Sequence, residues 1–381
     1  MPENKILLCF LIGTLWITQA SANENQYSVI VDAGSTSSKL HIFQNDAQTT
    51  LPTITDIFSE KTTQPLSSFV DHPQDAGASL KPVLDDALKY FTNNNIPANN
   101  IKIRVLGTAG MRLLDKNSQR AIYNNVKIYI KTNYSPQLKV ADVRTLTGKE
   151  EGLFDWLDVN YLSNSFNDQT ETFGSLDVGG ASTQIAFETT DMSKIKNETH
   201  LIINGKNYLV FSKSFLGLGQ DQARDTIDTY PLAGGCYPVG YTLNNSISGS
   251  FNFQNCTSNY NLLIDSYHIA EEILPINPEQ KFIAYSGAYY AFNFFGVDQT
   301  PNESIIEAQI ISVCAETWDQ MKINYPTTSE NYLSSECANG TYIDDLFFNY
   351  YHLHDNQLKV LNDINSTGID WTLGAMLFSL I

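Results

Sequence analysis

A chain of 381 residues is long enough for about two domains, each with its own core. With 42% hydrophobic, 12% aromatic and only 17% charged residues, it is too apolar and too aromatic to be disordered. Lys and Arg number 23 against 41 Asp and Glu, and the net charge of −18 would repel a phosphate backbone. No local basic patch stands out to oppose it, so nucleic acid is not an expected partner.

The chain opens with Lys5, an apolar run from Ile6 to Ile17, and Ala20-Ser21-Ala22, which together have the form of a secretory signal over residues 1–22. No other run reaches the ~18 apolar residues of a membrane span, so no stable anchor is expected once that segment is removed. Tyr27–Val31 and Lys39–Phe43 are β-rich and flank the turn-like Asp32-Ala33-Gly34-Ser35-Thr36-Ser37-Ser38, which predicts a hairpin with a polar tip. Leu80–Phe91 and Ser118–Lys131 have helical spacing around a short buried-type strand, Ile101–Leu106. A second strand–tip–strand segment runs from Gly174 to Phe187 through Asp177-Val178-Gly179-Gly180-Ala181-Ser182. Its aspartate follows Asp32 by about one domain length, which predicts an internal duplication with one tip from each half facing a shared cleft.

Residues 231–260, rich in Gly, Pro, Asn and Ser, read as an excursion. Helical patterns follow at Leu262–Leu274 and Ile305–Ile323, with a short strand at Phe282–Tyr285 and an apolar core helix within Trp371–Ile381. Without Cys9 the mature chain keeps Cys236, Cys256, Cys314 and Cys337, an even set with no C-x-x-C pair. Two disulfides are expected. Three connectivities are possible, and the pairing Cys236–Cys256 with Cys314–Cys337 closes the shortest loops.

A tip of glycine and hydroxyl residues turns several backbone N–H groups toward one point, which suits phosphate oxygens without a basic side chain. An aspartate opening each tip suits a divalent cation such as Mg²⁺, which keeps several waters and takes one or two carboxylates.

Five blocks, in order, resemble the conserved regions of the apyrase, or nucleoside triphosphate diphosphohydrolase, family. They are Asp32–Lys39; Gly107-Thr108-Ala109-Gly110-Met111-Arg112; Thr147-Gly148-Lys149-Glu150-Glu151-Gly152 through Trp156 to Asn160-Tyr161; Asp177–Gln184; and Tyr285-Ser286-Gly287-Ala288-Tyr289-Tyr290. Phe215–Gln220 and Asp370–Gly374 look like further family segments.

The resemblance implies an α/β fold of two actin-like, ribonuclease-H-type domains with an inter-domain cleft. The first domain would comprise 27–147 plus 364–381, and the second 148–363. It further implies a general base at Glu151, with Ser182 and Gln184 holding the attacking water. Phosphate would be gripped by Gly34, Ser35, Thr36, Ser37, Ser38 and Lys39 from one tip, and by Gly179, Gly180, Ala181 and Ser182 from the other. Asp32 and Asp177 would hold Mg²⁺ or Ca²⁺ through water, with Thr108 and Trp371 as further contacts, and Tyr290 and Tyr351 would sandwich the base. Two positions depart from the family pattern: Ser37 stands where Gly is usual, which predicts strain if φ is positive there, and Lys39 where Arg is usual.

The expected function is hydrolysis of the terminal phosphates of nucleoside tri- and diphosphates by a secreted, divalent-metal-dependent enzyme. A phosphotransferase of the sugar- or acetate-kinase type, and a catalytically silent secreted binding protein, are the alternatives.

Overall fold

The computed structural model describes residues 26–46, 50–244 and 246–381, so the expected signal segment lies outside the described residues. The first sheet holds β1 (Gln26–Ala33), β2 (Ser38–Asn45), β3 (Ile54–Lys61), β4 (Ile101–Gly107) and β5 (Leu138–Thr145) in the order β3-β2-β1-β4-β5. β1 to β3 form an antiparallel meander, and β4 and β5 run parallel to β1. The second sheet holds β6 (Gly174–Val178), β7 (Ser182–Glu188), β8 (Glu198–Ile203), β9 (Lys206–Leu216), β10 (Phe282–Ser286) and β11 (Leu358–Val360) in the order β11-β10-β6-β7-β9-β8. Its antiparallel β6-β7-β9 flanked by parallel β10 and β11 repeats the first sheet's connectivity, with β8 added as an edge. The duplication read from the two tips therefore extends to whole sheets.

Alternation along the strands separates the cores. Val29, Val31 and Ala33 face helices α1 (Lys81–Asn93) and α2 (Lys116–Asn133), whereas Ile30 points to a second core shared by both sheets. That shared core is built on α3 (Gly148–Leu162) and α4 (Trp371–Phe378). α3 is buried on nearly every side, and Gly374 of α4 lies so close that a Cβ there would sit 1.9 Å from the Phe154 carbonyl oxygen. The C-terminal helix is thus the core helix its composition predicts.

Capping sets the helix starts. Asp115 accepts from Asn117 and Ser118 N–H at the start of α2, and Thr147 forms a capping box with Glu150 at the start of α3. Two predicted helices differ from the structure. The pattern over 262–274 resolves into Phe253–Ile264 and a short turn Ile269–Glu272, because His268 takes a left-handed conformation, φ 49°, that an α-helix cannot contain. The pattern over 305–323 splits into Glu303–Cys314 and Trp318–Asn324, where Thr317 and Gln320 form a new capping box. Disulfides join Cys236 to Cys256 and Cys314 to Cys337. Among the described residues no helix is long and apolar enough to cross a membrane.

Candidate active site

The two tips meet. A Cβ on Gly180 would lie 2.8 Å from Ser35 Oγ and 3.4 Å from Thr36 Cγ2, and one on Gly110 would lie 2.9 Å from Ser35 Cα. Glycine at 110 and 180 therefore reflects close approach rather than unusual dihedrals, and no residue of either tip has a positive φ. That removes the strain expected at Ser37. Ser35, Thr36, Gly180 and Ala181 line a cleft of about 320 Å³ together with Ser67 and Asp221. The second tip is braced from behind by the Phe215–Gln220 block. Gln220 N–H donates to Gly179 O, Gly217 N–H donates to Ala181 O, and a Cβ on Gly219 would lie 2.3 Å from the Ala181 nitrogen.

Register places the aspartates equivalently. Asp32 is paired with Lys39 across its hairpin and with Leu106 of β4; Asp177 is paired with Gln184 and with Tyr285 of β10. Burial pushes Asp32 well above the ordinary carboxylate range, and the nearby Asp370 and Glu151 push the same way. Asp177 is raised to about 7 by burial, against a hydrogen bond from Ser286. Each aspartate keeps one buried oxygen, Oδ1, with no protein hydrogen-bond partner. Two buried carboxylates that Glu151 and Asp370 both repel, each with a free lone pair, are an environment a divalent cation relieves, so the residues present fit such a group. Among the described residues no three of His, Cys, Asp and Glu converge as a direct metal cage.

Glu151 sits in the first turn of α3, buried, and Arg112 Nη1 donates to its Oε2 at 2.5 Å. Burial raises the Glu151 pKa while the guanidinium opposes the rise. The same Arg112 donates through Nη2 to Ser182 Oγ at 3.0 Å, and Gln184 Nε2 donates to Ser182 Oγ at 2.6 Å and to Ser214 Oγ at 2.9 Å. Gln184 Oε1 is left buried and without a partner. Thr108 starts the short helix Ala109–Arg112, and its carbonyl accepts from the Arg112 backbone N–H.

A sequence model of the GDA1/CD39 (nucleoside phosphatase) family matches residues 18–232 and 240–380. The chain belongs to the GDA1/CD39 family. It is 27% identical to "Ectonucleoside triphosphate diphosphohydrolase 1" of Bos taurus over 98% of this chain and 85% of the relative, and 26% identical to "Probable apyrase 3" of Arabidopsis thaliana over 93% and 83%. It is 27% identical to "Golgi apyrase" of Saccharomyces cerevisiae over 93% of this chain and 70% of the relative. In fold it is similar to nucleoside triphosphate hydrolases from Neospora caninum, with a TM-score of 0.65 at 14% identity over 93% of this chain and 92% of that one. It also resembles the Aquifex aeolicus member of the Ppx/GppA protein family, with a TM-score of 0.57 at 13% identity over 93% and 98%. The family match agrees with the resemblance carried by the five blocks, and the paired sheets are the actin-like architecture it implies.

Within this GDA1/CD39 member two expectations about side chains change. Lys39 does not extend from its tip but ion-pairs with Asp370 Oδ2 at 3.1 Å. Tyr351 is 1% exposed, its ring packed against Phe347 and Phe215, so it has no free face for a base. Tyr290 is 64% exposed with its ring edge to Tyr289. Trp371 is buried and stacks on Phe154, while Thr108 is buried at the end of β4.

Several residues of the site carried no predicted role. Arg112 and Asp370 lay inside quoted blocks, so the signal was present; their partners in space were not. His41 Nδ1 lies 2.7 Å from Asp56 Oδ2 and its Nε2 3.2 Å from Asp370 Oδ2, and although burial opposes its charge these carboxylates raise it to about 9. Burial works to raise Asp370, yet His41 and Lys39 hold it well below the carboxylate range. In the fifth block Tyr285 Oη donates to Asp155 Oδ1 at 2.5 Å, and Ser286 holds φ 54° beside Asp177. Ser286 begins the helix Gly287–Phe294, and a Cβ on Gly287 would meet the Val178 carbonyl oxygen at 2.6 Å.

Proposed function

We propose that this chain is a secreted apyrase, hydrolysing the terminal phosphates of nucleoside tri- and diphosphates with Mg²⁺ or Ca²⁺ and a water activated by Glu151. The observation that carries the reading is the convergence of Glu151, Ser182 and Gln184, tied together by Arg112, beside two tips in contact. Phosphoryl transfer depends on positioning and charge neutralisation, and the tips offer backbone N–H groups and hydroxyls from both halves of the molecule. Glu151 accepts the proton of a water oriented by Ser182 Oγ and by the free Gln184 Oε1. Arg112 opposes the protonation that burial favours at Glu151 and fixes the direction of its carboxylate. Asp32 and Asp177, with Thr108 and Trp371 beyond them, would hold the cation through its waters, and when bound it supplies the charge neutralisation that the phosphates require.

The two domains are read as 27–147 plus 364–381 and 148–363, the C-terminal helix packing on the first sheet as well as on α3. Secretion is supported by the signal-like start and by the two disulfides.

The test is phosphate release from ATP and ADP, with and without chelator, by the wild type and by Glu151→Gln. The substitution keeps shape but cannot accept a proton, so kcat is expected to fall by ~10²–10⁴ with KM kept. Conversion of ATP to ADP only when a sugar or acetate acceptor is added, with the phosphoryl group on the acceptor and no free phosphate, would show a phosphotransferase, and no turnover with or without acceptor a binding protein; near-normal turnover in Glu151→Gln would falsify the base. Glu150→Gln can keep the α3 capping box, as Gln320 does at Thr317, and gives up only the ion pair with Arg144, so little change is expected in rate.

A further inference from the structure

The sequence shows no basic run, yet helix periodicity assembles one. α2 carries Lys116, Arg120, Lys127 and Lys131 and has no Asp or Glu among its residues, in a chain whose net charge is −18. Their spacing puts all four on one stripe with Asn124 between the pairs, spanning about 22 Å at the helical rise. The stripe borders a groove of about 400 Å³ between α2 and the edge strand β5, lined by Lys116, Arg120, Asn124, Lys127, Arg144 and Thr145.

The cations are uncompensated. Among the described residues no carboxylate comes within ion-pairing distance of Lys116, Arg120, Lys127 or Lys131; Lys116 Nζ has only Gln119 Oε1, at 3.5 Å. Asp115, next to Lys116, is turned to the helix end, where it accepts from Asn117 and Ser118. Arg144 alone is paired, with Asp142 at 2.8 Å and Glu150 at 2.9 Å. The floor is neutral and polar: Thr145 Oγ1 donates to Gln119 Oε1 at 2.8 Å and lies 2.9 Å from Tyr123 Oη.

We propose that this groove binds a linear sulfated glycan. A row of uncompensated cations on a strongly acidic protein attracts a polyanion locally while the rest of the surface repels it, which confines binding to this face. The groove is concave, so a chain enters it and a flat bilayer does not. The stripe alternates two cations one turn apart, a neutral amide, and two more cations. That pattern suits a chain whose charged groups are separated by hydroxyl-bearing units better than one charged at every link. The site lies on the first sheet's outer edge and does not depend on the hydrolytic reading.

The experiment is retention of the full chain on immobilised heparin and on a sulfopropyl resin at neutral pH and low salt, with elution by a salt gradient. Retention on heparin alone is expected. Lys116→Ala/Arg120→Ala/Lys127→Ala should weaken affinity for a heparin octasaccharide by about tenfold or more and flatten its salt dependence, with ATP hydrolysis unchanged. Lys116→Arg/Lys127→Arg should keep both binding and fold. Passage of the wild type through heparin, co-elution of the triple variant with the wild type, or failure of the conservative variant to bind overturns the proposal. So does displacement by inorganic polyphosphate or a DNA oligonucleotide at lower charge equivalents than by the octasaccharide, or equal variant-sensitive binding to phosphatidylserine vesicles.

Discussion

Arg112 and Glu151 form a largely buried ion pair between the end of β4 and the start of α3, with Nη1 2.5 Å from Oε2. The arginine comes from the turn after β4 and the glutamate from the first turn of α3, so the pair exists only when the first sheet and α3 are docked. Because burial alone would push Glu151 toward protonation, the guanidinium decides how much of it is available as a base.

Arg112→Gln removes that opposing charge. The Glu151 pKa should rise further, so the acid limb of the kcat/KM profile should move to higher pH, and kcat should fall by about 10²-fold. A profile with an unmoved acid limb would show that Arg112 acts on substrate or fold and not on the base.

Asp32→Asn and Asp177→Asn each keep the tip but remove a carboxylate that could hold the cation. Both should raise the Mg²⁺ or Ca²⁺ concentration for half-maximal activity by tenfold or so and lower the maximum rate. A metal titration that superimposes on the wild type would reduce that aspartate to a turn residue.

His41 links β2 to Asp370 at the start of α4, and its folded pKa of about 9 stands above the ~6.5 of an unfolded chain. The stability it adds is complete below ~6.5 and is lost as pH rises through about 9. Thermal denaturation across that window should show a falling Tm, and His41→Gln should flatten the slope. An equal slope in the variant would place the loss elsewhere.

The two tyrosines should now separate. Tyr290→Ala should raise KM for ATP, GTP and UTP alike by about tenfold and leave tripolyphosphate hydrolysis unchanged, because a stack on its exposed ring is worth ~1–3 kcal/mol for any base. Tyr351→Ala empties a core position and should cost about 3–5 kcal/mol in unfolding free energy. Urea unfolding beside the kinetics distinguishes them; an unchanged KM in Tyr290→Ala moves the base pocket away from that residue.

The sequence by itself determined the local elements that carry chemistry. The two Asp-led tips, the block that carries Glu151, and the family of the chain all depend on contiguous residues, so short-range spacing was enough to read them. Tyr27–Val31 was legible as a strand for the same reason, whereas the split of Val29 and Val31 from Ile30 between two cores was not, because all three are apolar. Only the tertiary structure decided which side chains face one another across long separations. It gave Lys39 and His41 to Asp370 and Arg112 to Glu151, and it buried Tyr351 while leaving Tyr290 open. Such partnerships arise from docking two sheets around α3 and α4, and desolvation then sets the charges: the same residue type is raised at Asp32 and Asp177 and lowered at Asp370 according to which cations reach it.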